Sequence, residues 1–306
     1  MMNSGQASGG VRVKSLRFQP RGTGSRFAEM LRIGGTTGEW PPPMVVPHRV
    51  DFHTVLLTRE GQGHHVIDFD WHACAPGTVS WAMPDQVQRV VPDPSLSVVA
   101  LLVRRDALLI AEAADRLEAR PPERVSWAVG RQEQARLADF LDALSADIDA
   151  QHDELVRSRV TTLLLELERR SRLDEAPHDA ESAHLLAAVR LAINERFRTT
   201  RRVEDYAAVL GYSARTLNRA CQRLTGKTVK ALLLERTMLE ARRLLVDSSA
   251  TVASIATELG FSEPTNFVSA FRREVGVTPQ RFRSDLVARG VPLGGRGPAG
   301  PPRGNV

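Results

Sequence analysis

A chain of 306 residues, 42% hydrophobic and 25% charged, has the composition of a globular protein large enough for two domains, and it holds no apolar run near the roughly 18 residues a membrane-spanning helix needs. Its two cysteines, Cys74 and Cys221, are too far apart in sequence to suggest a disulfide framework or a thiolate metal site, and are read as buried thiols. The net charge of +5 is unevenly held: Ser182 to Ser284 carries 17 Lys and Arg against 9 Asp and Glu, leaving 24 against 27 elsewhere, and such a basic end suits either a polyanion partner or a solvated surface.

Met1 to Gly10 is polar and lacks the basic head and apolar stretch of a secretory signal, so the protein is expected in the cytoplasm. From about Leu16 to Val103 the chain reads as short strands. Val79, Trp81 and Met83 alternate with Thr78, Ser80 and Ala82, while Phe52 to Leu57 and Leu96 to Val103 are apolar enough for buried strands. Gly34-Gly35, Glu60-Gly61-Gln62-Gly63 and Pro76-Gly77 supply turns, and the whole implies an antiparallel β-sandwich or barrel.

From Gly130 the period becomes helical, with Leu137, Phe140, Leu141 and Leu144, then Leu155, Val156, Val160, Leu163, Leu164 and Leu167. The second of these helices is apolar on more than one face; one face suits the strands and another a second copy of the chain, unless its own domain buries both. Ser171 to Ala183 reads as a linker, and the Gly/Pro-rich stretch from Gly290 to Val306 as a disordered tail.

Within the basic end Val203, Ala207, Leu210, Gly211, Tyr212 and Ser213 recur 49 positions later as Val252, Ala256, Leu259, Gly260, Phe261 and Ser262. After one inserted residue the register continues at 50, pairing Leu217 with Phe267, Cys221 with Phe271, Gly226 with Gly276 and Thr228 with Thr278. Each copy fits a helix-turn-helix. A small alanine sits where two helices cross, a glycine admits the sharp turn, and Ser213 and Ser262 are expected to cap the second helix. Leu217 and Cys221, or Phe267 and Phe271, then face inward at i, i+4. That leaves Arg215, Thr216, Asn218 and Arg219 outward in the first copy, and Thr265, Asn266 and Ser269 in the second, all able to bond base edges or phosphates. Lys230 to Val246 reads as one connecting helix, about 26 Å long, able to hold two recognition helices about a DNA turn apart.

The runs Glu235 to Leu245, Ile255 to Phe261, Asn266 to Arg273 and Gly276 to Arg283 closely resemble the signature of the AraC/XylS family of bacterial transcription regulators. The resemblance covers about 100 residues, Ser182 to Ser284. It implies an all-α, seven-helix, double helix-turn-helix domain that reads consecutive major-groove segments of double-stranded promoter DNA, and usually activation through RNA polymerase. Arg215, Asn218, Arg219, Thr265, Asn266 and Ser269 fall on the family's DNA-contacting positions, with Thr216 and Arg272 beside them. Pro264 in the first turn of the second recognition helix, and Cys221 where an aromatic is usual, depart from the pattern.

The N-terminal region is more loosely similar to the cupin-type barrel often fused to this domain, on His48 to His53, Gly61 to Gly63, Pro76 to Thr78 and Met83 to Gln88. The expected class is therefore α+β with two domains. Residues 1–14 are a disordered N-terminus, 15–112 a cupin-like sensor barrel, 113–174 a helical dimerisation segment, 175–181 a linker, 182–284 the DNA-binding domain and 285–306 a disordered tail. Enzymatic cupins place a metal-binding histidine where this chain has Gln88, and the first motif reads His-x4-His without the expected Glu; no metal, cofactor or catalytic residue is assigned and the chain is read as a non-enzyme. His48, His53, His64, His65 and His72 remain open to core packing, a metal or contact with an organic effector. Trp40, Phe52, Trp71 and Trp81 are read as core or as lining of the barrel, with Arg49 as a carboxylate partner; the effector set is Arg49, His48, His53, Trp40 and Trp81. A small effector of unknown identity follows from the resemblance, and the expected homodimer rests on the helix from Leu155 to Leu167 that is apolar on more than one face.

Overall fold

The computed structural model describes residues 14–20, 24–35, 39–110, 117, 124–171, 180–247 and 250–289; residues 1–13, most of the expected linker and everything beyond Arg289 lie outside these. Among the described residues ten strands form two five-stranded sheets. One runs β1 (Lys14–Leu16), β3 (His48–Val50), β8 (Val87–Pro92), β5 (Gly63–Ile67), β6 (Asp70–Cys74). The other runs β10 (Ser126–Ala128), β7 (Thr78–Ala82), β4 (Phe52–Glu60), β9 (Ser97–Arg104), β2 (Ala28–Gly34). All pairings are antiparallel except β1 with β3.

The second sheet is covered on both faces, which is why β4 reads Phe-His-Thr-Val-Leu-Leu without a polar alternation. Leu56, Val98 and Ala100 meet Cys74 and Val90 of the facing sheet. On the other face Val55, Val79, Trp81, Val99 and Leu101 pack under two helices, α2 (Arg131–Asp149) and α3 (Asp153–Ser171), after the single turn α1 (Pro42–Val45). Val156, Val160, Leu163, Leu164 and Leu167 of α3 are all buried within the chain, whereas Leu155 is exposed. Gly61 closes the β4–β5 hairpin at φ 72°, where a Cβ would lie 2.1 Å from the Ser95 carbonyl oxygen, so no other residue fits.

Among the described residues seven helices follow: α4 (Ala180–Arg196), α5 (Val203–Leu210), α6 (Ala214–Thr225), α7 (Val229–Asp247), α8 (Val252–Glu258), α9 (Pro264–Val275) and α10 (Pro279–Arg289). Their shared core includes Val189, Tyr206, Leu217, Met238, Ile255, Phe267, Phe271 and Phe282, and burial of each large side chain contributes about 1.5–3 kcal/mol. Phe69 in the β5–β6 turn and Val87 of β8 belong to the same cluster, so the first sheet packs on the helices there.

Two segments run differently from the sequence reading. Ser126–Ala128, inside the segment expected to be helical, pairs with β7 as an edge strand. The last helix continues to Arg289, past Ser284, because the first helix-breaking residue after Pro279 is Gly290.

Candidate nucleic-acid interface

In the first helix-turn-helix, α5 ends at Gly211 in the left-handed region, φ 72°, where the Gly211 and Tyr212 amides donate back to Ala208 and Ala207. Ser213 then caps α6, its hydroxyl accepting from the Thr216 amide at 3.1 Å. Leu217, Ala220 and Cys221 are buried against α4 and α5, which leaves Arg215, Arg219 and Gln222 in an exposed stripe at i, i+4, i+7.

Two of the expected contact residues are engaged inside the protein. The Asn218 carboxamide oxygen accepts the Val229 amide at 3.0 Å, capping the connecting helix, and the Thr216 hydroxyl lies 2.8 Å from Ser213 Oγ. Gln222 was not singled out from the sequence, although its spacing from Arg219 gave the signal.

In the second unit Thr251 caps α8 by accepting the Ser254 amide. The N-cap of α9 is Glu263, without a side-chain bond, in place of the expected Ser262; Pro264 at the first helical position moves the start one residue along, which is also why the repeat shifts from 49 to 50. Phe267 and Phe271 are buried. Thr265, Asn266, Ser269, Arg272 and Arg273 are all exposed.

The connecting helix α7, 19 residues and about 28 Å long, lies between the two units. Glu240 on it is buried and binds Arg198 at 2.7 Å and Arg236 at 3.0 Å, with Arg243 at 3.6 Å. Burial by itself would raise the Glu240 carboxyl, but the three guanidiniums hold it below the ordinary range. Arg198 also reaches Glu258 at 2.8 Å, and the Arg201 guanidinium sits 3.5 Å from the centre of the Phe261 ring, so the second unit is fixed to the rod by charge as well as by packing. The result is two exposed polar helix faces on one rigid support.

The barrel contains a cavity of about 390 Å³ whose walls include Leu31, Met44, His48, Phe52, Thr54 and Gln88. A buried hydrogen-bond chain crosses between the sheets to reach it. Ser80 donates to His65 Nδ1 at 2.8 Å, His65 Nε2 donates to Gln88 Oε1 at 3.0 Å, and Gln88 Nε2 donates to Thr54 Oγ1 at 2.9 Å. Burial pushes His65 down to about 3, so it is neutral. His48, also lowered by burial, donates its Nδ1 proton to the Val46 carbonyl and presents Nε2 as an acceptor.

Of the five residues expected around an effector, His48 lines this cavity and Trp40 packs on the neighbouring inter-sheet core. Arg49, next in β3, is not among the lining residues. His53 and Trp81 lie on the opposite face of their sheet, ring centres 5.9 Å apart, because the strand period of two turns them away from Phe52 and Thr54. Trp71 meets the His64 ring edge-on, centres 5.4 Å apart, and the Arg89 guanidinium lies over it at 5.6 Å. No group of three or more His, Cys, Asp or Glu that could hold a metal occurs among the described residues. Nor is any described helix long and apolar enough to cross a membrane.

Two family models match the chain: an AraC-like ligand binding domain over residues 40–168 and a helix-turn-helix domain over residues 206–285. Among curated relatives, the HTH-type transcriptional activator RhaS of Klebsiella pneumoniae is 28% identical over 245 residues, spanning 77% of this chain and 86% of the relative. RhaS of an Enterobacter species is 26% identical over 246 residues with the same coverage. The solved structure of fatty-acid-bound ToxT from Vibrio cholerae aligns with 87% of this chain and 96% of its own at 11% identity, with a TM-score of 0.41, too loose a fit to carry its geometry across.

Proposed function

The chain belongs to the AraC family, as a helix-turn-helix DNA-binding transcription regulator with an N-terminal ligand-binding domain, and from that premise we propose that it is a non-enzymatic, cytoplasmic activator controlled by a small molecule in the barrel cavity. The observation that carries the proposal is the pairing of two exposed recognition faces on one rod with a walled cavity in the attached barrel. Arg215, Arg219 and Gln222 read bases in one major-groove segment, since long donors reach guanine and adenine edges. Thr265, Asn266, Ser269 and Arg272 are short or phosphate-directed and set position on the next segment. Asn218 and Thr216 hold the first recognition helix in place.

On the cavity wall an effector with an apolar body and a hydroxyl would meet the Thr54 hydroxyl, the Gln88 carboxamide and His48 Nε2, with Arg17, Glu29 and Arg89 also lining the space. Activation through RNA polymerase is supported by the relatives' naming as activators. A homodimer would use the half-buried Leu137 and Phe140 on the groove between α2 and α3, and the exposed Leu155 of α3. Selection of sequences bound by the full-length protein from a random duplex pool is the test. The expected product is an asymmetric site with two preferred segments about one helical turn apart, bound less tightly as salt rises; no enrichment over the starting pool would sink the proposal.

A further inference from the structure

The hairpin joining β5 and β6 turns on two residues, Asp68 and Phe69, at φ 48° and 78°. A turn with positive φ at both positions ordinarily takes Asn or Gly, and a bulky Phe there is strained unless its surroundings hold it. Here they do, and they come from the DNA-binding region. Phe69 is 1% exposed, its ring 5.6 Å from Phe282 of α10 and 5.0 Å from the Arg242 guanidinium of α7. Asp68 accepts Arg243 Nε at 2.8 Å on one oxygen and Arg243 Nη2 on the other, with both side chains only about a tenth exposed. Burial alone would raise the Asp68 carboxyl, but Arg243, Gln86 and the Val87 amide together hold it below its ordinary range.

The other half of the Asp68 environment is strand β8 and its approach. Gln86 Nε2 donates to the carboxylate at 2.6 Å and the Val87 amide at 3.2 Å, while the Asp68 amide donates to the Val87 carbonyl at 2.8 Å. The Val87 side chain packs in the helical core. Gln88, one residue on, faces the opposite way into the cavity, bonded to His65 and Thr54. Gln86, Val87 and Gln88 are consecutive, so the residues that hold Asp68 adjoin the one bonded at the cavity, and Asp68 is itself clamped to the rod between the two recognition helices.

We propose that the Asp68–Phe69 turn is a latch between the barrel and the connecting helix, set through β8 by what the cavity holds. The coupling rests on reading the cavity as an effector site; the latch itself does not. Amide hydrogen exchange of the full-length protein tests both without reference to DNA. In the unmodified protein the Asp68 and Val87 amides should exchange as slowly as the barrel core; exchange at the rate of surface turns overturns the latch. Asp68→Asn and, independently, Phe69→Ala should each speed exchange of the peptide covering 240–247 at least tenfold while leaving β4 and β9 unchanged. If either variant fails to fold the other decides, and unchanged exchange at 240–247 overturns the proposal. Gln88→Met, on the cavity side, should speed exchange at Asp68, Val87 and 240–247 several-fold. If it leaves them unchanged while the turn variants do not, the coupling is overturned. Failure of the DNA selection would overturn the regulator reading and leave these exchange results standing, so the two are separable.

Discussion

The barrel and the helical region bury polar groups in opposite ways. The barrel hides neutral donors and acceptors in a chain from Ser80 through His65 and Gln88 to Thr54. The helical region hides full charges, with Glu240 facing Arg236 and Arg243 of its own helix and Arg198 from beyond the end of α4. A neutral chain leaves an open end for a ligand's hydrogen bonds and is upset when a histidine gains a proton. A charge cluster is closed on itself and rigid, which suits a rod that fixes the distance between two recognition helices.

Mild acid should separate the two regions most widely. Burial holds His65 and His53 at about 3 in the folded protein, against an ordinary value of 6.5, so unfolding takes up protons between those limits. Stability from these two groups is complete above pH 6.5 and falls as pH drops toward 3, by up to about 1.4 kcal/mol per pH unit for each. The carboxyls of Glu240 and Asp68 are shifted downward, so what they contribute is lost only at and below the ordinary carboxylate range. All four tryptophans, Trp40, Trp71, Trp81 and Trp127, lie in the N-terminal part, so their fluorescence should change at a higher pH than helical circular dichroism is lost. Coincident transitions would erase the distinction.

Glu240→Gln tests the other side of the comparison. Three guanidiniums would face a neutral amide, and a loss of about 3–5 kcal/mol is expected, read as a lower denaturation midpoint of the helical signal. A change under about 1 kcal/mol would mean that solvent, not Glu240, carries those charges.

Within the helical region the two recognition faces differ in reach. Arg219→Ala should relax base preference in one half of the site by about 1–3 kcal/mol of discrimination, whereas Arg272→Ala should weaken all sequences about equally. Full base-preference profiles decide it, and a larger change from Ser269→Ala than from Arg219→Ala would reverse the assignment. The smallest effect expected is at the caps. Ser213→Ala should lower stability by about 1 kcal/mol and Ser262→Ala by much less, because only Ser213 bonds the first turn of its helix.

Much of the helical region was legible because its signals are local. The repeat, the Gly211 turn, the Ser213 cap and the inward pair Leu217 and Cys221 all lie within a few helical turns of one another, where spacing alone fixes which face a side chain takes. The same locality misled at Ser262, where Pro264 governs the helix start, and gave no sign that the Asn218 carboxamide oxygen accepts the Val229 amide of the next helix. In the barrel, alternation marked the strands but not which side was inside. Both faces of β4 are buried, so nothing in the pattern separated Thr54, on the cavity, from His53, under the helices.

The sequence by itself determined the α+β class, the paired helix-turn-helix repeat and the strand-then-helix order, because hydrophobic period, glycine turns and caps act over a few residues. Tertiary structure alone decided that Gln88 ends a hydrogen-bond chain at a cavity, that Ser126–Ala128 completes a sheet, and that Asp68 meets Arg243, 175 positions away. A strained turn without glycine and a buried ion pair leave no periodic trace; each exists only because residues distant in the chain surround it and supply the bonds that water would otherwise make.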